Sequence, residues 1–246
     1  MPATGVRLDR LLVDRGLVPS RERAQRLIMA GEVLVDDRPV TKPGTTVEAE
    51  AAVRLRAAAS PYVSRGGEKL AGALDAFGVE PAGRVCCDVG ASTGGFTDVL
   101  LRRGAARVVA LDVGYGQLAW SLRQDPRVTV LERVNARALE PGMLPATPTL
   151  VTVDVSFISL ALVLPAVARV LPAGGEVVAL VKPQFEAGRG EVGKGGVVRD
   201  PAVRAACVAR VREVAVACGF AVRGEAPSVL PGPKGNQEVF VWLQRT

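Results

Sequence analysis

The 246 residues contain no histidine. That removes histidine general bases, Ser-His-Asp triads and histidine-ligated metal sites together, and no metal centre is expected. Cysteine is sparse: Cys86, Cys87, Cys207 and Cys218, with no CxxC spacing. Cys86 and Cys87 are adjacent in an apolar run and read as reduced core residues of an intracellular protein. No run of about 18 apolar residues occurs, and no N-terminal stretch resembles a signal-peptide core, so a cytoplasmic location is expected. Lysine is scarce as well. Lys42, Lys69, Lys182, Lys194 and Lys234 are the five, against 31 basic residues in all. General positive charge is thus carried by arginine. A lysine at a special position is a candidate for chemistry closed to arginine, whose guanidinium stays protonated.

What is present reads as globular: 48% apolar and 23% charged residues. The length suits one large domain, alone or with a small one. A net charge of +6 and a pI near 9.5 suit a polyanionic partner.

Two textures divide the chain. In the first, "VRLDRLLVDRGLV" spaces Val6, Leu8, Leu11, Leu12 and Leu17 as a helix does, with Gly16 as its stop. "PSRERAQRLIMAGEV" has Ser20 as N-cap and Gly31 as terminator. "VLVDDRPVTKPGTTV" alternates around an Asp-Asp-Arg-Pro turn, as a small hairpin does. The expectation is a small α+β domain over 1–59, a linker over 60–67 in the glycine- and proline-bearing "AAASPYVSRGG" stretch, and a second domain over 68–246. By composition alone the arginines of the helical pair are a solvated charged face.

The second texture alternates strands with helices. "RVCCDVG", "RVVALDVG", "RVTVLERV", "TLVTVDVS", "EVVALVK" and "QEVFVWLQ" read as strands, with "GGFTDVLLRRG", "GQLAWSLRQD", "LALVLPAVARVL" and "PAVRAACVARVREVAVACG" as helices. This is the α/β pattern of a Rossmann-like, doubly wound, mainly parallel sheet, whose ligands sit at the carboxyl ends of the strands.

"DVGASTGGF", residues 88–96, is the first strand-to-helix turn. Its glycines allow close approach of a ligand, and the helix start beyond it offers free N–H groups. The spacing is D-x-G-x-x-x-G-G. A dinucleotide fingerprint would need glycine at position 92, where Ser92 stands. This favours S-adenosylmethionine over NAD. Asp112 ends the second strand, 22 residues after Gly90, where an acidic group can accept from a ribose diol. Asn135, after the third strand, is a candidate adenine reader. The cofactor-binding candidates are Asp88, Gly90, Ser92, Gly94, Gly95, Phe96, Asp112, Val113, Asn135 and Asp154.

Four further residues stand out. Lys69 precedes the first strand of this part, Asp154 ends the fourth strand, Lys182 ends the next, and Glu238 starts the last. Singly, each is most simply a surface charge. Together they resemble the K-D-K-E set of FtsJ/RrmJ-type ribose 2′-O-methyltransferases. "YVSRGGEKL", "DVGASTGGFTDVLL", "DVGYGQLAW", "DVSFISL", "LVKPQFE" and "LPGPKGNQE" extend the resemblance, and the chain is similar throughout to the TlyA (haemolysin A) family. "RLDRLLVDRGLVPSRERAQRLIMAGEVLVDDRPV" resembles an RNA-binding module first seen in a small-subunit ribosomal protein. The resemblance implies methylation of cytidine ribose in small- and large-subunit rRNA. It makes Lys69, Asp154, Lys182 and Glu238 catalytic, with Lys182 as base or base-equivalent and the others orienting it. It makes Arg7, Arg10, Arg21, Arg23, Arg65, Arg189 and Lys194 RNA-binding candidates, the last two in the glycine-rich loop 185–200, a candidate substrate lid. A lysine can act as a base where burial and a neighbouring cation favour the neutral amine.

Three rivals stay open at this stage. A base methyltransferase acting on exocyclic nitrogen would carry a D-P-P-Y-like motif where "DVSF" stands. A non-catalytic ribosome-binding protein would not need the four-residue set. A membrane-active haemolysin would need a spanning segment or a strongly basic amphipathic helix.

Overall fold

The computed structural model describes residues 5–55, 60–188 and 190–246. The expectation for Arg189, and residues 56–59 at the end of the expected first domain, lie outside the described residues, and the last three residues of the expected linker over 60–67 belong to a helix that starts at Arg65. The chain divides into two compact units, Met1–Pro61 and Tyr62–Thr246.

The first unit runs β1 (Val6–Arg7), α1 (Leu8–Asp14), α2 (Arg21–Met29), β2 (Val33–Val35), β3 (Arg38–Pro39), β4 (Thr46–Val47) and β5 (Val53–Leu55). Ser20 caps α2, its side chain accepting from the Arg23 N–H at 3.2 Å. Asp36 and Asp37 both take left-handed φ, 49° and 63°, as the tight turn between β2 and β3 requires. Leu8, Leu12, Val18, Ala24, Ile28 and Val33 form the core. Asp9 is fully buried within it. Its carboxylate accepts from Arg7, Arg21 and Gln25. The Arg7 hydrogen bond, more than any other contact, holds this carboxyl far below the usual range.

The second unit runs α3 (Arg65–Phe77), β6 (Val85–Val89), α4 (Gly95–Arg102), β7 (Arg107–Leu111), α5 (Trp120–Arg123), β8 (Val128–Leu131), β9 (Leu150–Val153), α6 (Leu164–Val170), β10 (Glu176–Val181), α7 (Pro183–Glu186), α8 (Pro201–Ala217), β11 (Phe220–Pro227) and β12 (Val239–Arg245). The sheet order is β11-β12-β10-β9-β6-β7-β8. Strands β10, β9, β6, β7 and β8 are parallel to their neighbours within that run. β12 is antiparallel to both β10 and β11. Strand pleating sends alternate residues to opposite faces. Leu70, Leu74, Val99 and Leu100 from α3 and α4 cover one face, against Cys86, Val108, Ala110, Val178, Leu180 and Phe240. α6 and α8 cover the other with Leu164, Val167, Val208 and Val211, against Val89, Val109, Val151, Val153 and Val177. Each fully buried leucine contributes roughly 1.5–3 kcal/mol to burial. The cysteines are free, and burial pushes the Cys86 thiol up to about 12.

Three elements depart from expectation. α3 replaces what read as a lead-in to the first strand. The helix expected over 116–125 shrinks to the four residues of α5. β11 adds an antiparallel strand, with a register shift between Val222 and Gly224.

Candidate active site

The glycine turn forms the floor of a cleft at the carboxyl ends of the parallel strands. Gly90 has φ 89°, and a Cβ there would come within 2.6 Å of the Asp154 carbonyl oxygen, so only glycine fits. The Ser92 N–H donates to Asp112 Oδ2 at 2.8 Å, and the Gly114 N–H to Oδ1 at 2.6 Å. Each carboxylate oxygen keeps accepting capacity for a diol. Gly90, Ser92, Asp112, Val113, Asn135 and Asp154 line a cleft of about 470 Å³. That lies within the roughly 300–1,000 Å³ of small-molecule sites. Volume, glycine cradle and half-satisfied carboxylate together fit S-adenosylmethionine.

Four of the cofactor candidates do not line this cleft. Gly94 faces Leu118 and Leu122, and Gly95 faces Ser64 and Gly67. Phe96 is buried and packs at 6.1 Å on Phe240. Asp88 is fully buried and accepts from Thr97 at 2.7 Å and Thr152 at 3.2 Å. Burial first, then the charge of Asp154, raises its carboxyl to about 7. These four build the turn from beneath. Gln117, Ser156 and Phe157 line the cleft and were missed. Gln117 and Phe157 stand inside the quoted "DVGYGQLAW" and "DVSF" stretches, so position after a strand end was the signal to follow.

The four chemistry candidates lie together by register. Val181 pairs with Val239, so Lys182 and Glu238 flank the same rung of the β10–β12 ladder. Val153 pairs with Ala179, so Asp154 falls level with Leu180. The pleat sends Asp154, Lys182 and Glu238 to the face covered by α3, and Lys69 reaches them from that helix. Lys69 Nζ lies 2.5 Å from Glu238 Oε2, with both side chains buried. Lys182 Nζ lies 2.6 Å from Asp154 Oδ1 and donates to Ser156 Oγ at 2.9 Å. The structure therefore gives each lysine its own carboxylate, Glu238 for Lys69 and Asp154 for Lys182. The Lys182–Asp154 contact is an ion pair without hydrogen-bond angles, and Asp154 Oδ1 and Glu238 Oε1 are buried acceptors without a hydrogen bond. Phe185 sits 6.0 Å below the Lys182 ammonium and packs on exposed Phe157 at 5.0 Å.

The RNA candidates divide. Arg7 and Arg21 are half-exposed and share Asp9. Arg10 pairs loosely with Asp14 at 3.6 Å. Arg23 is a correction: it is 8% exposed and donates to the Ser60 carbonyl at 3.0 Å, so it serves the core of its unit. Arg65 is exposed at the start of α3, and Lys194 is exposed in the glycine-rich loop.

A family profile described as FtsJ-like methyltransferase matches residues 62–245, and one described as S4 domain matches residues 6–53. The 16S/23S rRNA (cytidine-2′-O)-methyltransferase TlyA of Mycobacterium tuberculosis is 54% identical over 98% of this chain and 91% of its own.

The chain belongs to the TlyA family of FtsJ-like methyltransferases.

Within this family, Hemolysin A of Brachyspira hyodysenteriae is 40% identical over 95% of the chain and 97% of its own. A solved structure from Streptococcus thermophilus that carries the hemolysin name is 44% identical, with a TM-score of 0.78, over 99% of this chain and 90% of that one. The FtsJ-like assignment covers the unit that holds the cleft and both lysine–carboxylate pairs.

Proposed function

We propose that this enzyme transfers a methyl group from S-adenosylmethionine to the ribose 2′-hydroxyl of cytidine in small- and large-subunit rRNA, in the cytoplasm. The observation that carries the reading is the Lys182–Asp154 pair at 2.6 Å beside the cleft, with the buried Lys69–Glu238 pair on the same sheet face. The named activity of the Mycobacterium tuberculosis relative supports the substrate. Among the described residues, no helix is long and apolar enough to cross a membrane.

S-adenosylmethionine supplies an electrophilic methyl on a sulfonium sulfur. Asp112 would hold its ribose diol and Asn135 its adenine edge, with Gly90 and Ser92 leaving room for it. The chain's own work is to place the 2′-oxygen and remove its proton. Lys182 is placed to take the proton from the hydroxyl, and Asp154 beside it to neutralise the ammonium so formed. The O–H bond breaks as the O–C bond forms and the S–C bond breaks, so the proton balances on the Lys182–Asp154 pair. Lys69 and Glu238 hold β12 and α3 around that pair. Alignment of this kind supplies roughly 7–11 kcal/mol in well-oriented systems.

The test is to treat unmethylated ribosomal subunits with the enzyme and labelled cofactor, then digest the RNA to nucleosides. Label in 2′-O-methylcytidine is the expected result. Label in a base, or none transferred, would overturn the reading.

A further inference from the structure

A second concave site lies in the methyltransferase unit, outside the cofactor cleft. It has a volume of about 590 Å³ and is lined by Val198, Arg199, Arg204, Lys234 and Gln237 among others, with no carboxylate in its wall. We infer that this pocket holds a backbone phosphate of the substrate RNA and so sets the strand's path into the active site; the inference rests on the RNA-methyltransferase reading above.

Three observations carry it. The first is charge without compensation. Arg199 and Lys234 are exposed and Arg204 is part-buried. Among the described residues, none of the three is ion-paired with a carboxylate, whereas seven other arginines of this unit are. Three cations facing one open pocket repel each other, and an anion relieves that repulsion. The neighbouring acid, Asp200, is engaged elsewhere, accepting from the Ala202 N–H at 2.8 Å as the cap of α8. α8 is 17 residues long and starts beside the pocket, so its N-terminal dipole adds to the field.

The second is that the pocket is built. Arg204 is anchored, donating to the Arg199 carbonyl at 2.8 Å. Asn236 is 2% exposed and ties the two cation-bearing segments together. Its Oδ1 accepts from the Val198 N–H at 3.0 Å, its Nδ2 donates to the Gly196 carbonyl at 2.9 Å, and its own carbonyl accepts from the Gly232 N–H at 2.8 Å. The segment so fixed leads in two residues to Glu238. A strand held in the pocket is therefore indexed to the residues that flank the 2′-hydroxyl.

The third is backbone cost. Lys234 has φ 63° and ψ 11°, the left-handed region where glycine is at ease. A lysine kept there costs conformational energy that glycine at the same place would not. The pocket is broad and open, which suits a polymer backbone rather than an enclosed mononucleotide.

The test compares the full chain with Lys234→Gly, Arg199→Gln and the double variant, binding ribosomal subunits between 50 and 200 mM salt. Lys234→Gly should melt no lower than the parent, because its φ favours glycine, so weaker binding cannot be unfolding. Each lost phosphate contact should reduce the slope of log affinity against log salt by about 0.7 and weaken binding by about five- to ten-fold at low salt. Lys234→Arg should restore the slope. A double variant that binds with the parent's affinity and slope, while the parent methylates RNA, overturns the pocket alone. A parent that neither binds nor methylates ribosomal RNA overturns the functional reading and the pocket with it.

Discussion

Lys69→Met should unfold the methyltransferase unit at a markedly lower temperature, and a second substitution should bring it back. Glu238 is 2% exposed, and Lys69 is its only ion-pair partner among the described residues. Removing the ammonium leaves a buried carboxylate with no counter-charge, and breaking such a pair costs about 3–5 kcal/mol. For a unit of this size each kcal/mol moves the midpoint by roughly 2–4 °C, so a fall of about 6–20 °C follows. Lys69→Met/Glu238→Met removes both charges and should stand within about 2 kcal/mol of the parent, since a buried pair is replaced by apolar side chains. The double-mutant cycle, read by denaturant unfolding, isolates the coupling. Lys69→Met, Glu238→Met and the double variant should all lose methylation, because stability and chemistry ask different things of the pair. A single-variant cost below about 1 kcal/mol, or a double variant as unstable as the two singles combined, would refute the reasoning.

Lys182→Arg keeps a cation but no base, and should lower single-turnover methylation at least about 10²-fold. Gly90→Ala meets the Asp154 carbonyl at 2.6 Å and an unfavourable φ. It should cost about 1–3 kcal/mol, read as roughly ten-fold weaker cofactor binding by calorimetry. Asp88 holds its proton up to about pH 7 in the fold and to about 4 when unfolded. The folded state binds that proton more tightly, so the stabilisation present below pH 4 drains away as pH rises towards 7, by at most about 1.4 kcal/mol per unit. Asp88→Asn should flatten that slope in urea midpoints taken at pH 4.5, 6 and 7.5, and parallel slopes would refute it.

The parts legible in the sequence were those where local physics and function coincide. The apolar runs ending at Asp112, Asp154 and Lys182 announce strands and place their last residues at the ligand edge. Lysine scarcity singled out Lys69 and Lys182. α3 was missed although Ser64, Gly78 and the spacing of Leu70, Ala73, Leu74 and Phe77 mark a helix. β11 was hidden because Arg223, Gly224 and Glu225 interrupt any alternation, and its partner β12 fixes it from afar. Arg23 read as surface charge, since nothing local shows that its guanidinium turns inward to a carbonyl 37 residues away. Pairing of each lysine with its own carboxylate is likewise a property of register, and register is not written in any one segment.

The contact between Lys69 and Glu238 also bears on when the enzyme becomes competent. Its two residues stand 169 positions apart, and Glu238 enters on β12, which lies between β10 and β11. Long loop closure is the slow part of folding. The glycine turn and its neighbouring strands draw on shorter separations and can assemble earlier. Cofactor-binding capacity should therefore arise before the catalytic pairs are complete, and the insertion of one strand is the event that turns a folded cleft into an enzyme.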